Sequence, residues 1–255
     1  MHSQSPSDGL NLAGRRVIVT GAASGIGCAV AERFAAMGST VCLADINLAG
    51  AAEVAGSLGS EHHALPLDLA EPESCAALVA GASQRMGGLD ILVNAGAIIL
   101  RQPLDDVAPA DIHRMSDVNM AGAFFLARAA AGLMRRGSGG RIILLSSQGA
   151  HTGGYVGSTV YAMTKAAVIS LVKSLAREFA SSNITVNAIA PGVVDTPMIR
   201  RDVSEAALSE FMKMVPLGRI AEPREIADCC LFLASDWASY VTGHTLDVNG
   251  GQLMR

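Results

Sequence analysis

Ser147, Tyr161 and Lys165 are the residues whose types and spacing bear most directly on chemistry. Tyr161 and Lys165 stand four apart in a segment that reads as a helix opening near Ser158, so both lie on one face. A phenol beside a fixed ammonium exchanges protons with an adjustable pKa. Free tyrosine titrates near ~10, and bringing it to ~7 takes roughly 4 kcal/mol of preferential stabilisation of the phenolate. An ammonium ~4 Å away in a partly screened site supplies about that much. The apolar run from Arg141 to Leu145 reads as a buried strand that delivers Ser147 to its end. There its hydroxyl can donate a hydrogen bond to the same substrate oxygen. Ser146 should point to the opposite side of the strand.

A second constellation lies near the start of the chain. Gly21, Gly25 and Gly27, with Ser24 and Ile26 between them, separate a β-branched strand (Arg16 to Thr20) from a helix predicted over 25–37. Missing side chains let a pyrophosphate approach the backbone, and a helix N-terminus adds free N–H groups and positive potential. Asp45 closes the next strand about twenty residues on, where an acid can bind adenosine ribose hydroxyls. A carboxylate there repels a 2′-phosphate, and no arginine stands at Ser24, Ile46 or Asn47 to offset it. NAD is therefore expected over NADP.

The serine, tyrosine and lysine together with this glycine spacing resemble the short-chain dehydrogenase/reductase family, in its NAD-preferring form of about 250 residues. The resemblance implies that Ser147, Tyr161 and Lys165 carry catalysis. Tyr161 would exchange the proton, Ser147 would orient the substrate oxygen, and Lys165 would lower the tyrosine pKa and hold the nicotinamide ribose. It adds Asn119 as a fourth catalytic residue, holding a proton-relay water. Asp68, with Leu69 beside it, matches the residue that holds the adenine amino group. Asn94, Ala95 and Gly96 match the motif that closes the fourth strand against the cofactor. Pro191, Gly192, Val194 and Thr196 resemble the loop that holds the nicotinamide amide. One departure is that Ser147 lies fourteen residues before Tyr161, about one more than is common in the family. It is read as one extra residue in the glycine-rich loop. The implied activity is hydride transfer between NAD and a secondary alcohol or ketone. A 3-oxoacyl-carrier-protein reductase is the alternative within the family, and Asp45 counts against it. A non-catalytic NAD-binding regulator is the alternative outside it, and the complete tetrad counts against that.

The elements that must position these residues alternate between strand and helix. The fold class is therefore α/β: a single-domain, doubly wound, Rossmann-like parallel sheet with helices on both faces. Residues 1–13 read as a flexible tail, 14–255 as the dehydrogenase domain, and 195–216 as a lid over the substrate. One long helix is expected over about 109–136 and another over 159–180. Half of the 255 residues are hydrophobic and only 16% charged, enough for a large core. The net charge of −4, without a basic cluster, disfavours nucleic acid and anionic membranes as partners. No apolar run reads as long enough to span a bilayer, and residues 1–9 lack a signal-peptide core. Five cysteines without Cys-x-x-Cys spacing read as buried thiols of a cytoplasmic protein.

His62 and His63 lack a partner cluster at ligand spacing, so they read as a solvated loop and no metal is expected. Gln148, His151 and Tyr155 are expected on a polar substrate wall. Ile98, Ile99, Met198, Ile199, Phe211 and Met214 are expected on an apolar one. Such a pocket suits a small polyol or sugar derivative. The apolar helices over 121–134 and 159–180 carry more apolar surface than one sheet face covers. A homo-oligomer is expected, and the family resemblance implies a tetramer.

Overall fold

A computed structural model describes residues 10–155 and 157–255. Seven strands form one parallel sheet: β1 (Arg16–Thr20), β2 (Thr40–Asp45), β3 (His63–Pro66), β4 (Ile91–Asn94), β5 (Gly140–Leu145), β6 (Ile184–Pro191) and β7 (Thr245–Val248). Their order is β3-β2-β1-β4-β5-β6-β7, the doubly wound arrangement expected. Strands buried on both faces read as continuous apolar runs, and β1 and β5 do. Ile18, Leu92 and Ile142 face one layer of core with α3 (Pro72–Met86), α5 (Gly122–Met134) and α7 (Thr159–Phe179). Val17, Val19, Val93 and Ile143 face the other, with α1 (Gly25–Ala36), α2 (Leu48–Leu58) and α10 (Pro223–Ala234).

The strand order reverses between β1 and β4. Crossovers leave in opposite directions there and open a crevice at the carboxyl ends. Register puts Thr20 opposite Asn94, and Asn94 opposite Leu144, so both constellations emerge at the same edge.

Four local features depart from expectation. The helix expected over 109–136 is α4 (Pro109–Ser116) and α5 joined by one π-helical turn, Asp117–Ala121. The glycine-rich loop after β5 contains a short helix, α6 (Gly149–Thr152). The expected lid, read as mixed with a short helix near Ser204 to Met214, folds as that helix, α9 (Glu205–Lys213), and a second one, α8 (Pro197–Asp202), capped by Ser204 and Thr196. The tail expected over 1–13 lies outside the described residues at 1–9, but its end is anchored. Leu12 is fully buried, and its carbonyl accepts a hydrogen bond from Ser39 Oγ at 2.9 Å.

Two smaller corrections concern single segments. His62 is not solvated: its ring is buried and its Nδ1 accepts from the Val41 amide at 3.1 Å. Burial lowers its pKa. The helix that begins with α7 is, by length and composition, long and apolar enough to cross a membrane, contrary to the sequence reading. Half of it is buried in this fold, with Val168, Val172 and Leu175 in the core.

Candidate active site

The glycine loop is shaped by its neighbours. Gly21 and Gly25 have φ of 65° and 56°, left-handed values that favour glycine. A Cβ on Gly27 would collide with the Gly21 carbonyl oxygen, so helix α1 starts directly against the loop. Thr20 Oγ1 donates to Asn94 Oδ1 at 2.6 Å and accepts from the Gly96 amide at 3.2 Å, tying β1 to β4. Asp45 clasps the other side. Its carboxylate accepts from the Ala23 amide at 3.0 Å and the Asn47 amide at 2.9 Å.

At the other end, Tyr161 and Ser147 line the same cavity, and Ser147 acts to lower the Tyr161 pKa. Ser147 Oγ also accepts from the Gly149 amide at 3.1 Å, which fixes its rotamer at the start of α6. Ser146 points away, donating to the Lys165 carbonyl at 2.8 Å. Lys165 Nζ donates to the Leu145 carbonyl at 2.7 Å and stands 5.6 Å from the Tyr161 ring centroid. In place of the depressed value expected beside Lys165, burial pushes the Tyr161 hydroxyl up to about 12. The charge of Arg101 and the Ser147 hydroxyl offset this in part. Burial lowers Lys165 from 10.5 to about 8.

Both ends open on one cavity of about 650 Å³, large enough for a cofactor and a small substrate together. The glycine loop, Asp45, Asp68 and Leu69 line one part of it, and Ala95 and Gly96 line its floor. Pro191, Gly192, Val194 and Thr196 close the side toward Ser147, Tyr161 and Lys165. Asn94 is behind this wall, bonded to Thr20. Asn119 also lies behind it. The π-helical turn swings its amide onto Ile98, exchanging bonds of 2.9 and 2.8 Å with that residue's backbone, and its Nδ2 also reaches Thr164 Oγ1 at 3.1 Å.

Of the residues expected to touch substrate, Gln148, Tyr155 and Met198 line the cavity and His151 does not. Helix α6 turns His151 away, toward the charges of Asp247 and Arg255. Gln148 is buried and already engaged, donating to Gln252 Oε1 at 2.7 Å and Tyr155 Oη at 3.3 Å. Ile98, Ile99, Ile199 and Phe211 supply the apolar wall, and Phe211 packs on Tyr155 with ring centroids 4.3 Å apart. Met214 is half-exposed and outside the lining.

A family model described as enoyl-(acyl carrier protein) reductase matches residues 21–252. The chain is 38% identical over 245 residues to the 3-oxoacyl-[acyl-carrier-protein] reductase of Vibrio cholerae, covering 96% of this chain and 100% of that protein. It is 35% identical over 258 residues to the galactitol 2-dehydrogenase of Agrobacterium fabrum, covering 96% and 100%. The chain belongs to the short-chain dehydrogenase/reductase family. A crystal structure of 3-ketoacyl-(acyl-carrier-protein) reductase from Brucella melitensis, complexed with NADH, superposes with a TM-score of 0.89 at 33% identity, covering 95% and 100%. As a short-chain dehydrogenase/reductase, the protein is an NAD(P)-dependent oxidoreductase acting on CH–OH or ketone groups.

The residues present fit a nicotinamide dinucleotide. The cradle over Gly21 and Gly25 is bare backbone, and the first turn of α1 contains no acidic side chain to repel a pyrophosphate. Three charged cavity residues of this short-chain dehydrogenase/reductase were not singled out in the sequence: Arg101, Arg114 and Arg201. No motif marks them, and only their charge, on a loop after β4 and on two helices, could have drawn attention. Gln252 was also missed, because its contact with Gln148 spans 104 residues of chain.

Proposed function

We propose that the protein interconverts a secondary alcohol and a ketone on a small hydroxylated substrate, a polyol or sugar derivative, with NAD preferred over NADP. The observation that carries this is that Ser147, Tyr161 and Lys165 line one cavity together with the glycine loop, with Lys165 one helical turn from Tyr161 on α7. Bound NAD supplies a hydride acceptor, and NADH a donor. The protein supplies position and proton transfer. Ser147 donates to the substrate oxygen and holds it at the phenol. Tyr161, held neutral by burial, gives its proton to a carbonyl oxygen in reduction, and in oxidation its phenolate, formed as pH rises, takes the proton from the carbinol. Oxidation should therefore quicken as pH rises, and reduction should not.

Asp45 supports NAD, since a carboxylate already holding the Ala23 amide of the glycine loop and the Asn47 amide would face a 2′-phosphate. The mixed walls support a small hydroxylated substrate. Tyr155 and Gln148 face Ile98, Ile99 and the lid residue Phe211, which excludes water when it closes. Five free thiols suit a reducing, cytoplasmic setting. Exposed Ile112, Met120 and Phe124 along α4, the π-helical turn and α5, with Met163 on α7, support assembly into a homotetramer.

The acyl-carrier-protein reductase reading is favoured by the Vibrio cholerae relative. A panel of polyols, hydroxysteroids and 3-oxoacyl thioesters, assayed with both cofactors, separates the two. The polyol reading expects the highest kcat/KM with a polyol and NAD. A 3-oxoacyl thioester reduced best with NADPH would overturn it.

A further inference from the structure

The charges around the cavity are unevenly placed. Asp45 and Asp68 are its lining carboxylates among the described residues, and both belong to the part that begins at the glycine loop. The other part, around Tyr161, is lined by Arg101, Arg114 and Arg201. Arg201 is spoken for, since its guanidinium holds Asp202 through bonds of 2.6 and 3.1 Å. Arg114 is exposed at the rim. Arg101 differs from both. It follows the Ile98–Ile99 wall, its Nε is buried, and that atom has no hydrogen-bond partner among the described residues. A buried donor left unpaired is destabilising by itself, and a cation in a water-poor cleft acts strongly on whatever enters it. Arg101 and Tyr161 line the same cavity, so a ligand group on this guanidinium shares that cavity with the reacting carbon.

We propose that Arg101 is the anion-recognising residue of the substrate site, and that the substrate carries an oxyanion, carboxylate or phosphate, beside its secondary hydroxyl. The proposal rests on the dehydrogenase reading above and narrows it from a neutral polyol to a sugar acid or a polyol phosphate. A planar guanidinium offers parallel N–H groups that match either oxyanion. The dinucleotide is not the natural claimant, because its pyrophosphate belongs on the glycine loop and the α1 N-terminus.

The test compares gluconate, sorbitol and sorbitol 6-phosphate as substrates with NAD, using the unmodified protein, Arg101→Gln and Arg101→Lys. The unmodified protein should favour gluconate or the phosphate over sorbitol by at least about tenfold in kcat/KM. Arg101→Gln should lower that anion-to-neutral ratio by about 10- to 100-fold, mainly through KM. Arg101→Lys should restore part of it, and the KM for NAD should move far less. Calorimetric titration of gluconate and sorbitol 6-phosphate into the NAD-saturated proteins gives a second readout. Turnover with a ratio indifferent to Arg101, or sorbitol as the best of the three, overturns the anion site and leaves the dehydrogenase reading standing. Binding that depends on Arg101 without turnover upholds the anion site while the dehydrogenase reading falls. Neither turnover nor binding overturns the proposal. If Arg101→Gln fails to fold, the lysine variant carries the same comparison.

Discussion

Lys165 donates a hydrogen bond from its ammonium to the carbonyl of Leu145 at 2.7 Å, joining the N-terminal part of α7 to the end of the strand that delivers Ser147. A buried cation with one carbonyl partner is held against a desolvation cost, which lowers its pKa from 10.5 to about 8. Below about pH 8 both folded and unfolded chains carry the charge, so the full cost falls on the folded state. Between about 8 and 10.5 the unfolded chain keeps the proton that the folded one sheds. Stability attributable to this group therefore rises with pH across that window.

Lys165→Met should accordingly raise the thermal midpoint at pH 7 by several degrees. The gain should shrink toward pH 10, and turnover should be lost. A Lys165→Met variant less stable than the unmodified protein at pH 7 would show that the lysine stabilises the fold instead.

Asp45 joins two roles in one carboxylate, holding the Ala23 and Asn47 amides while lining the cavity. Asp45→Asn keeps an oxygen acceptor and removes the charge. The preference for NAD over NADP in kcat/KM should narrow by about tenfold or more, the scale of one charge-assisted contact. Equal efficiency with the two cofactors in the unmodified protein would contradict the assignment.

The Asn119 amide behaves as a piece of backbone, closing on both the N–H and the carbonyl of Ile98. Asn119→Leu leaves those two groups unpaired, with an expected loss of about 1–3 kcal/mol. Denaturant titration should show the shift, with Asn119→Asp intermediate because it keeps the acceptor. An unchanged midpoint in both variants would mean that the Ile98 segment is held by other contacts.

Much of this was legible in the sequence, for identifiable reasons. The sheet was readable because buried parallel strands are continuous apolar runs, as at Val17–Val19 and Ile142–Leu145. The glycine loop was readable because its left-handed turns and close approaches admit few other residues. The π-helical turn at Asp117–Ala121 was not, since its residues keep a helical composition and only tertiary contacts show the extra residue in the turn. The direction of His151 was hidden by a four-residue helix inside a glycine-rich stretch. The rise of the Tyr161 pKa was not legible because sequence spacing places Lys165 nearby but does not show the burial of the hydroxyl.

Ile112, Met120, Phe124 and Met163 remain exposed on α4, the π-helical turn, α5 and α7 respectively. Sedimentation at micromolar concentration should give a tetramer, and Phe124→Glu should give smaller species. A monomer for the unmodified protein would contradict assembly through these helices.

The account turns on Tyr161 as the proton-exchanging group. Tyr161→Phe keeps the ring and its packing, and removes only the hydroxyl from the cavity wall. The decisive measurement is kcat of this variant with NAD and the best secondary alcohol of the panel, alongside its Kd for NAD. The account predicts a fall in kcat of at least about 100-fold, the usual scale of general acid–base catalysis, with Kd for NAD nearly unchanged. A variant that keeps more than about a tenth of the original kcat would contradict it.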